Sequence, residues 1–151
     1  MKKIGVYIDI NNLYQALKRN RDGKQLDYDK LMGHIKDMGE VVDAIAYGCE
    51  FEKEATEFKC MLSKVGVTPK YKQLIPNRKF SWNPSIIIDA MSKLEDLDIL
   101  VLCSGDGELT PLVTHARDAG KQVIVIACSP SKSLRSHATS TIEIYGDLLC
   151  S

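Results

Sequence analysis

The sequence carries no excess charge of either sign: 20 lysines and arginines balance 20 aspartates and glutamates over 151 residues. A nucleic-acid partner would therefore have to be held by a local basic patch, because overall charge supplies no attraction. No apolar run approaches membrane-spanning length, and the opening stretch MKKIGVYIDI turns acidic at Asp9 before a signal peptide's apolar core is reached. The expected location is the cytoplasm, with no membrane attachment. CxxC spacing is missing as well. The five cysteines, at 49, 60, 103, 128 and 150, are odd in number, and Cys103 and Cys128 lie in or at the end of apolar runs. They read as reduced, mostly core thiols and not as a zinc site. His34, His115 and His137 have no ligand spacing between them. No internal repeat or low-complexity tract appears, and 151 residues with 44% hydrophobic and 26% charged side chains suit one domain over 1–151.

What is present is organised around DILVLCSGDGELTPLV, from Asp98 to Val113. Ile99 to Cys103 has the length and composition of a strand buried on both faces, as parallel strands are. A polar, glycine-rich turn from Ser104 to Glu108 follows. Leu109, Leu112, Val113 and Ala116 then give the apolar stripe of a helix, with Pro111 tolerated in its first turn. In open α/β sheets ligands sit at the carboxyl ends of strands, so Asp106 and Glu108 resemble equipment for a hard cation. Capping of the following helix is the simpler use of both acids when the stretch is taken alone.

The same pattern of strand, acid and helix occurs at the start, where Ile4 to Ile10 is followed by Asn11, Asn12 and the helical spacing of Leu13 and Leu17. RNRDGK is a polar turn, after which Asp27 can cap a helix carrying Leu31, Ile35 and Met38, closed by Gly39. Val41 to Tyr47 reads as a strand, and Glu52 to Val65 as a helix with Ala55, Phe58, Met61, Leu62 and Val65 inward and Gly66 at its end. Val67 to Leu74, with Pro69 and its alternating Lys70 and Lys72, suits a sheet edge. The loop IPNRKFSW follows. Asn83 as N-cap and Pro84 as first helical residue start a helix from Ser85 to Leu94. Asp89 interrupts its apolar residues, and a carboxylate there is costly unless it pairs with a cation or faces a cavity. Gln122 to Cys128 is another buried strand, Lys132 to His137 a basic and polar connection, and Ile142 to Tyr145 a last strand.

Alternating strands and helices imply a three-layer α/β sandwich with a central, mainly parallel sheet and right-handed crossovers. The strands ending at Asp9 and Cys103 are its expected centre, flanking the point where strand order reverses, which places Asp9 beside Asp106. Clustered carboxylates repel one another and become stable around a divalent cation, of which magnesium or manganese is the natural one for few carboxylates and several waters.

YIDINN, SIIIDA, SGDGELTPL and VIVIAC, in that order and spacing, resemble the NYN domain of the PIN-like nuclease superfamily, especially its bacterial LabA-like branch. The resemblance spans nearly the whole chain. It implies a PIN-like fold and metal-dependent hydrolysis of RNA phosphodiester bonds, with Mg2+ or Mn2+ held by carboxylates. Carried over residue by residue, Asp9, Asp89 and Asp106 fall on the family's acidic, catalytic positions. Glu108 joins them as a metal ligand, and Asn12, Asn83 and Ser104 become polar support near the metal. Three positions depart from the family pattern. Asn83 stands where a second acid is usual, Glu108 replaces Asp in the SGDSD pattern, and Thr139 or Ser140 occupies the place of an acid near the last strand. The implied activity is weaker than a full acidic set would give.

Arg78, Lys79 and Trp82 on one side, and Lys132 and Arg135 on the other, are candidate RNA contacts, with Phe80 or Trp82 able to stack on an unpaired base. A solvated surface, or a core contact for Trp82, explains the same residues without RNA. RNA is the expected partner, and a homo-oligomer is left open. Receiver, haloacid-dehalogenase and Toprim domains lose on specific residues: DINN lacks the adjacent acids of the first and the D-x-D of the second, and Asp9 replaces the glutamate of the third. The remaining rival is a catalytically lapsed PIN-like module that binds nucleic acid or protein.

Overall fold

The computed structural model describes residues 1–50 and 56–150. Among them, one sheet contains six strands in the order β3-β2-β1-β4-β5-β6, and every pairing is parallel. The strands are β1 (Lys3–Asp9), β2 (Glu40–Glu50), β3 (Thr68–Gln73), β4 (Ile99–Cys103), β5 (Gln122–Ala127) and β6 (Ser140–Glu143). The helices are α1 (Ile10–Asn20), α2 (Tyr28–Lys36), α3 (Thr56–Lys64), α4 (Asn83–Lys93), α5 (Thr110–Asp118) and α6 (Lys132–His137). From β1 the chain steps outward to β2 and β3, then crosses back to β4 and continues to β5 and β6. With right-handed crossovers, that reversal sets α1, α2 and α3 on one face and α4, α5 and α6 on the other.

The centre of the sheet is the buried strand pair that its apolar runs predict. All five residues of β4 are buried, as are six of the seven in β1, and the cost of removing that backbone from water is met by ladders on both sides. Leu100, Val101, Ile4 and Ile8 are fully enclosed, with Leu31 and Ile35 from α2 and Val113 and Ala116 from α5 in the same core. Cys103 lies in this layer, and burial pushes its thiol up to about 12, which keeps it a protonated core residue at neutral pH. β3 is the edge strand its lysines and proline indicate.

Several boundaries fall differently from the sequence reading. Asp9 itself caps α1, so the helix begins at Ile10. The helix read as Glu52 to Val65 is described from Thr56 to Lys64, with Phe58, Met61, Leu62 and Val65 against the core; Glu52 to Ala55 lie outside the described residues. Gly39 does not close α2, which ends at Lys36. A Cβ on Gly39 would sit 2.3 Å from the Lys2 carbonyl oxygen, so the glycine allows the chain to enter β2 alongside β1. Residues 132–137 form a short helix capped by Ser131, where a connection was expected. The last strand starts at Ser140, two residues early, because Thr139 accepts the Val123 N–H and begins the pairing.

Candidate functional site

β1 and β4 are neighbours, and their carboxyl ends supply the first acids of the site. Asp9 is the last residue of β1 and 8% exposed. One carboxylate oxygen accepts the Asn12 N–H at 3.1 Å, capping α1. Burial pushes its carboxyl above the ordinary value, opposed by the Asn12 and Asn11 N–H groups and reinforced by the charge of Asp106. The two strand ends expected to carry these acids side by side are neighbours in the sheet. Asn12 ties the two strand ends together: its Oδ1 accepts the Gly105 N–H at 2.9 Å. Ser104 is buried and accepts the Asp106 N–H at 3.2 Å. Asp106 caps a 3-10 turn, Gly107–Leu109, by accepting the Glu108 N–H at 2.9 Å. The turn runs close to the segment after β5, where a Cβ on Gly107 would meet Ser131 Oγ at 3.0 Å. Capping is thus a real use of Asp9 and Asp106, and it occupies one oxygen of each.

Asn83 is not the N-cap of α4. Trp82 takes that position, and the Asn83 N–H donates to Ser81 Oγ at 3.1 Å. The Asn83 side chain, 5% exposed, turns to the acids instead: its amide nitrogen donates to Asp106 Oδ2 at 2.9 Å and Glu108 Oε2 at 3.3 Å. Its Oδ1 is buried and has no hydrogen-bond partner.

Asp89 lies six residues further along α4, about 9 Å down the axis at 1.5 Å per residue. It accepts from Tyr47 Oη at 2.7 Å and from Lys70 Nζ at 2.8 Å. Burial raises its carboxyl, but the Lys70 and Tyr47 hydrogen bonds and the Lys70 charge outweigh it and hold the group below the ordinary value. The paired cation that an acid among isoleucines needs is therefore Lys70. The strand registers explain the meeting, since Asp9 lies opposite Tyr47 and Tyr47 opposite Lys70. Residues opposite one another across a parallel ladder share a face, and this one is covered by α4. The sequence reading missed Tyr47 and Lys70 as partners; only the register carries that signal.

The aromatic and basic residues divide. Trp82 is half-buried, donates its indole N–H to the Gly48 carbonyl at 3.1 Å and packs on Tyr47. Phe80 is exposed, edge-on to Trp82 at 5.0 Å between centroids, with Lys72 Nζ 4.4 Å from its ring centroid. Arg78 and Lys79 are exposed on the same loop. On the other side Lys132 is exposed at the start of α6, whereas Arg135 is held by Glu143 and the Pro130 carbonyl. Thr139 and Ser140 lie at the amino end of β6, opposite the acids; the acid at its carboxyl end is Glu143. Two hollows of about 500 Å³ lie away from the acids, one at Met91, Glu95 and His115, the other at Lys30, His34 and Asp147.

Among the described residues, no three His, Cys, Asp or Glu side chains are grouped closely enough to hold an ion by themselves. The donor set around Asp9, Asp106, Glu108 and Asn83 nevertheless fits a hard cation that keeps several waters, as magnesium does. Its carboxylates offer only oxygens, and the orphaned Asn83 Oδ1 is a further buried acceptor next to the amide nitrogen that faces Asp106 and Glu108.

Comparison with known proteins agrees with the fold. "Low amplitude and bright protein LabA" of Synechococcus elongatus is 24% identical over 159 residues, covering 97% of this chain and 83% of that protein. A crystal structure of a protein of unknown function from Vibrio parahaemolyticus superposes with a TM-score of 0.89 at 27% identity, covering 99% of this chain and 96% of that one. The NYN domain family model matches residues 3–145. With that match running over nearly its whole length, the chain belongs to the NYN domain family.

Proposed function

We propose that the protein is a metal-dependent endoribonuclease whose centre is the carboxyl edge between β1 and β4. NYN domains are a PIN-like nuclease family, and the observation that carries the reading here is that buried Asp9 and the turn bearing Asp106 leave adjacent strands, tied by the Asn12–Gly105 hydrogen bond, with an unpartnered amide oxygen on Asn83 beside them. Asp9, Asp106 and Glu108 would hold magnesium or manganese. When bound, such an ion supplies polarisation of a phosphoryl oxygen and a water of lowered pKa. Asn12 and Ser104 hold the turn that aims Asp106. Asp89 belongs to this centre as a positioning residue, anchoring α4 through Tyr47 and Lys70 so that Asn83 stays at the acids. Arg78, Lys79 and Lys132 are exposed and would hold phosphates, and the exposed ring of Phe80 would stack on an unpaired base.

A second reading, a PIN-like module that binds nucleic acid or protein without cutting, is favoured by two observations. Asn83 replaces an acid, and Asp89 is neutralised by Lys70. Cleavage of single-stranded RNA in manganese separates the two. Asp106→Asn removes charge with little change in shape, and is expected to lower the rate at least about 100-fold while the fold, checked by circular dichroism, is kept. An Asp106→Asn protein as active as wild type would place the chemistry elsewhere, and an inert wild type that still binds RNA would establish the second reading.

A further inference from the structure

Two acids of this site are joined by an amide. Asn83 Nδ2 donates to Asp106 and to Glu108, at 2.9 and 3.3 Å. The amide therefore puts partial positive charge where a cation bridging the same two carboxylates would put a full one. Its geometry is set from outside the pair: α4 starts at Asn83, Ser81 accepts its backbone N–H, and Asp89 anchors the helix below. The arrangement leaves Oδ1 buried with no partner, the one such side-chain polar atom among the described residues. An orphaned buried acceptor is costly and calls for an explanation. Turning the amide over would relieve nothing, since it would aim the oxygen at two carboxylates and orphan the nitrogen instead.

We propose that Asn83 is a cation surrogate: its amide nitrogen bridges Asp106 and Glu108 in the ion-free protein, and a divalent cation entering the site must displace that bridge. The inference rests on the reading of the acids as an ion site and deepens it. Stability without metal and affinity for metal are then set against each other by one residue. An acid at position 83 would reverse both, repelling Asp106 and Glu108 when no ion is present and adding charge to the ligand set when one is. Asp is well tolerated in the first turn of a helix, so Asn83→Asp is a usable probe.

The experiment measures melting temperature in EDTA and manganese affinity by calorimetry for wild type, Asn83→Asp, and Asn83→Asp combined with Glu108→Gln. Asn83→Asp is expected to melt about 3–6 °C below wild type in EDTA and to bind manganese about tenfold more tightly or better. The double variant, which restores the wild-type number of carboxylates, should recover most of the lost melting temperature. An EDTA melting temperature unchanged by Asn83→Asp overturns the amide bridge and leaves the ion-site reading standing. A lowered melting temperature with unaltered manganese affinity makes the bridge purely structural and overturns the surrogate. Manganese binding by neither wild type nor Asn83→Asp overturns the surrogate together with the ion-site reading.

Discussion

Asp89 has a pH dependence that its two donors dictate. Its folded-state pKa lies below the ordinary value because the Lys70 and Tyr47 hydrogen bonds and the Lys70 charge outweigh burial. A depressed carboxylate contributes stability that is present above its unfolded value, near 4, and is lost as pH falls through the lower folded value. The Asp89 and Lys70 side chains are 23% and 45% exposed, so solvent screening keeps the contribution to about 0.5–1 kcal/mol. Asp89→Asn should therefore lower the melting temperature at pH 7 by about 1–4 °C, with the difference closing towards pH 3. Melting curves from pH 3 to pH 8 check it, and an offset that stays constant with pH would assign the loss to packing. The sequence alone gives Asp89 no such role, because Lys70 lies 19 residues away and the pairing exists only once β2 and β3 are in register.

The segment from β3 to the start of α4 is the element that distinguishes RNA recognition from packing. Its inner half is tied down by the Trp82 bond to Gly48 and by contact with Tyr47. Its outer half presents Lys72, Arg78, Lys79 and Phe80 to solvent. Neutralising Arg78 and Lys79 together as Ala should weaken binding of single-stranded RNA and reduce the salt slope by about one to two units, with little dependence on base sequence. The measurement belongs in calcium, which occupies oxygen sites and supports such hydrolysis poorly, so that affinity is read without cleavage. An unaltered slope would move the phosphate path to Lys132, across the acids. In the sequence Trp82 is equally readable as a base-stacking residue or a packing one, since a Trp before a helix start serves both; only the fold shows its contacts with Tyr47 and Gly48.

At the scale of the molecule, the central strands are both the core and the platform of the site. Leu100 on β4 is wholly buried, and Leu100→Ala is expected to cost about 2–5 kcal/mol through lost burial and the cavity it leaves. Because β1 and β4 carry Asp9 and the 104–108 turn at their ends, the loss should appear as one cooperative transition shifted to lower denaturant. Far-ultraviolet circular dichroism and Trp82 fluorescence should report the same midpoint. Separate midpoints would mean that the edge carrying Trp82 unfolds independently of the centre.

Local chemistry is enough to read the alternation of strands and helices, the buried character of Ile99 to Cys103, the edge position of β3 and the acid at the end of β1, because each follows from the spacing of apolar residues or from a lysine or proline within a short window. Even the pairing of the strands that lead to Asp9 and to the 104–108 turn is legible, since a right-handed crossover leaves few places for two long apolar strands. The fate of Asn83 and Asp89 is not. A residue before Pro84 has the local pattern of an N-cap, and the amide leaves that role only because α4 starts beside the 104–108 turn, where two carboxylates compete for its donor. Asp89 likewise takes its partner from a strand two positions across the sheet. Those contacts depend on strand register and on where one helix crosses the sheet, quantities set by the packing of the whole core and carried by no short stretch of sequence.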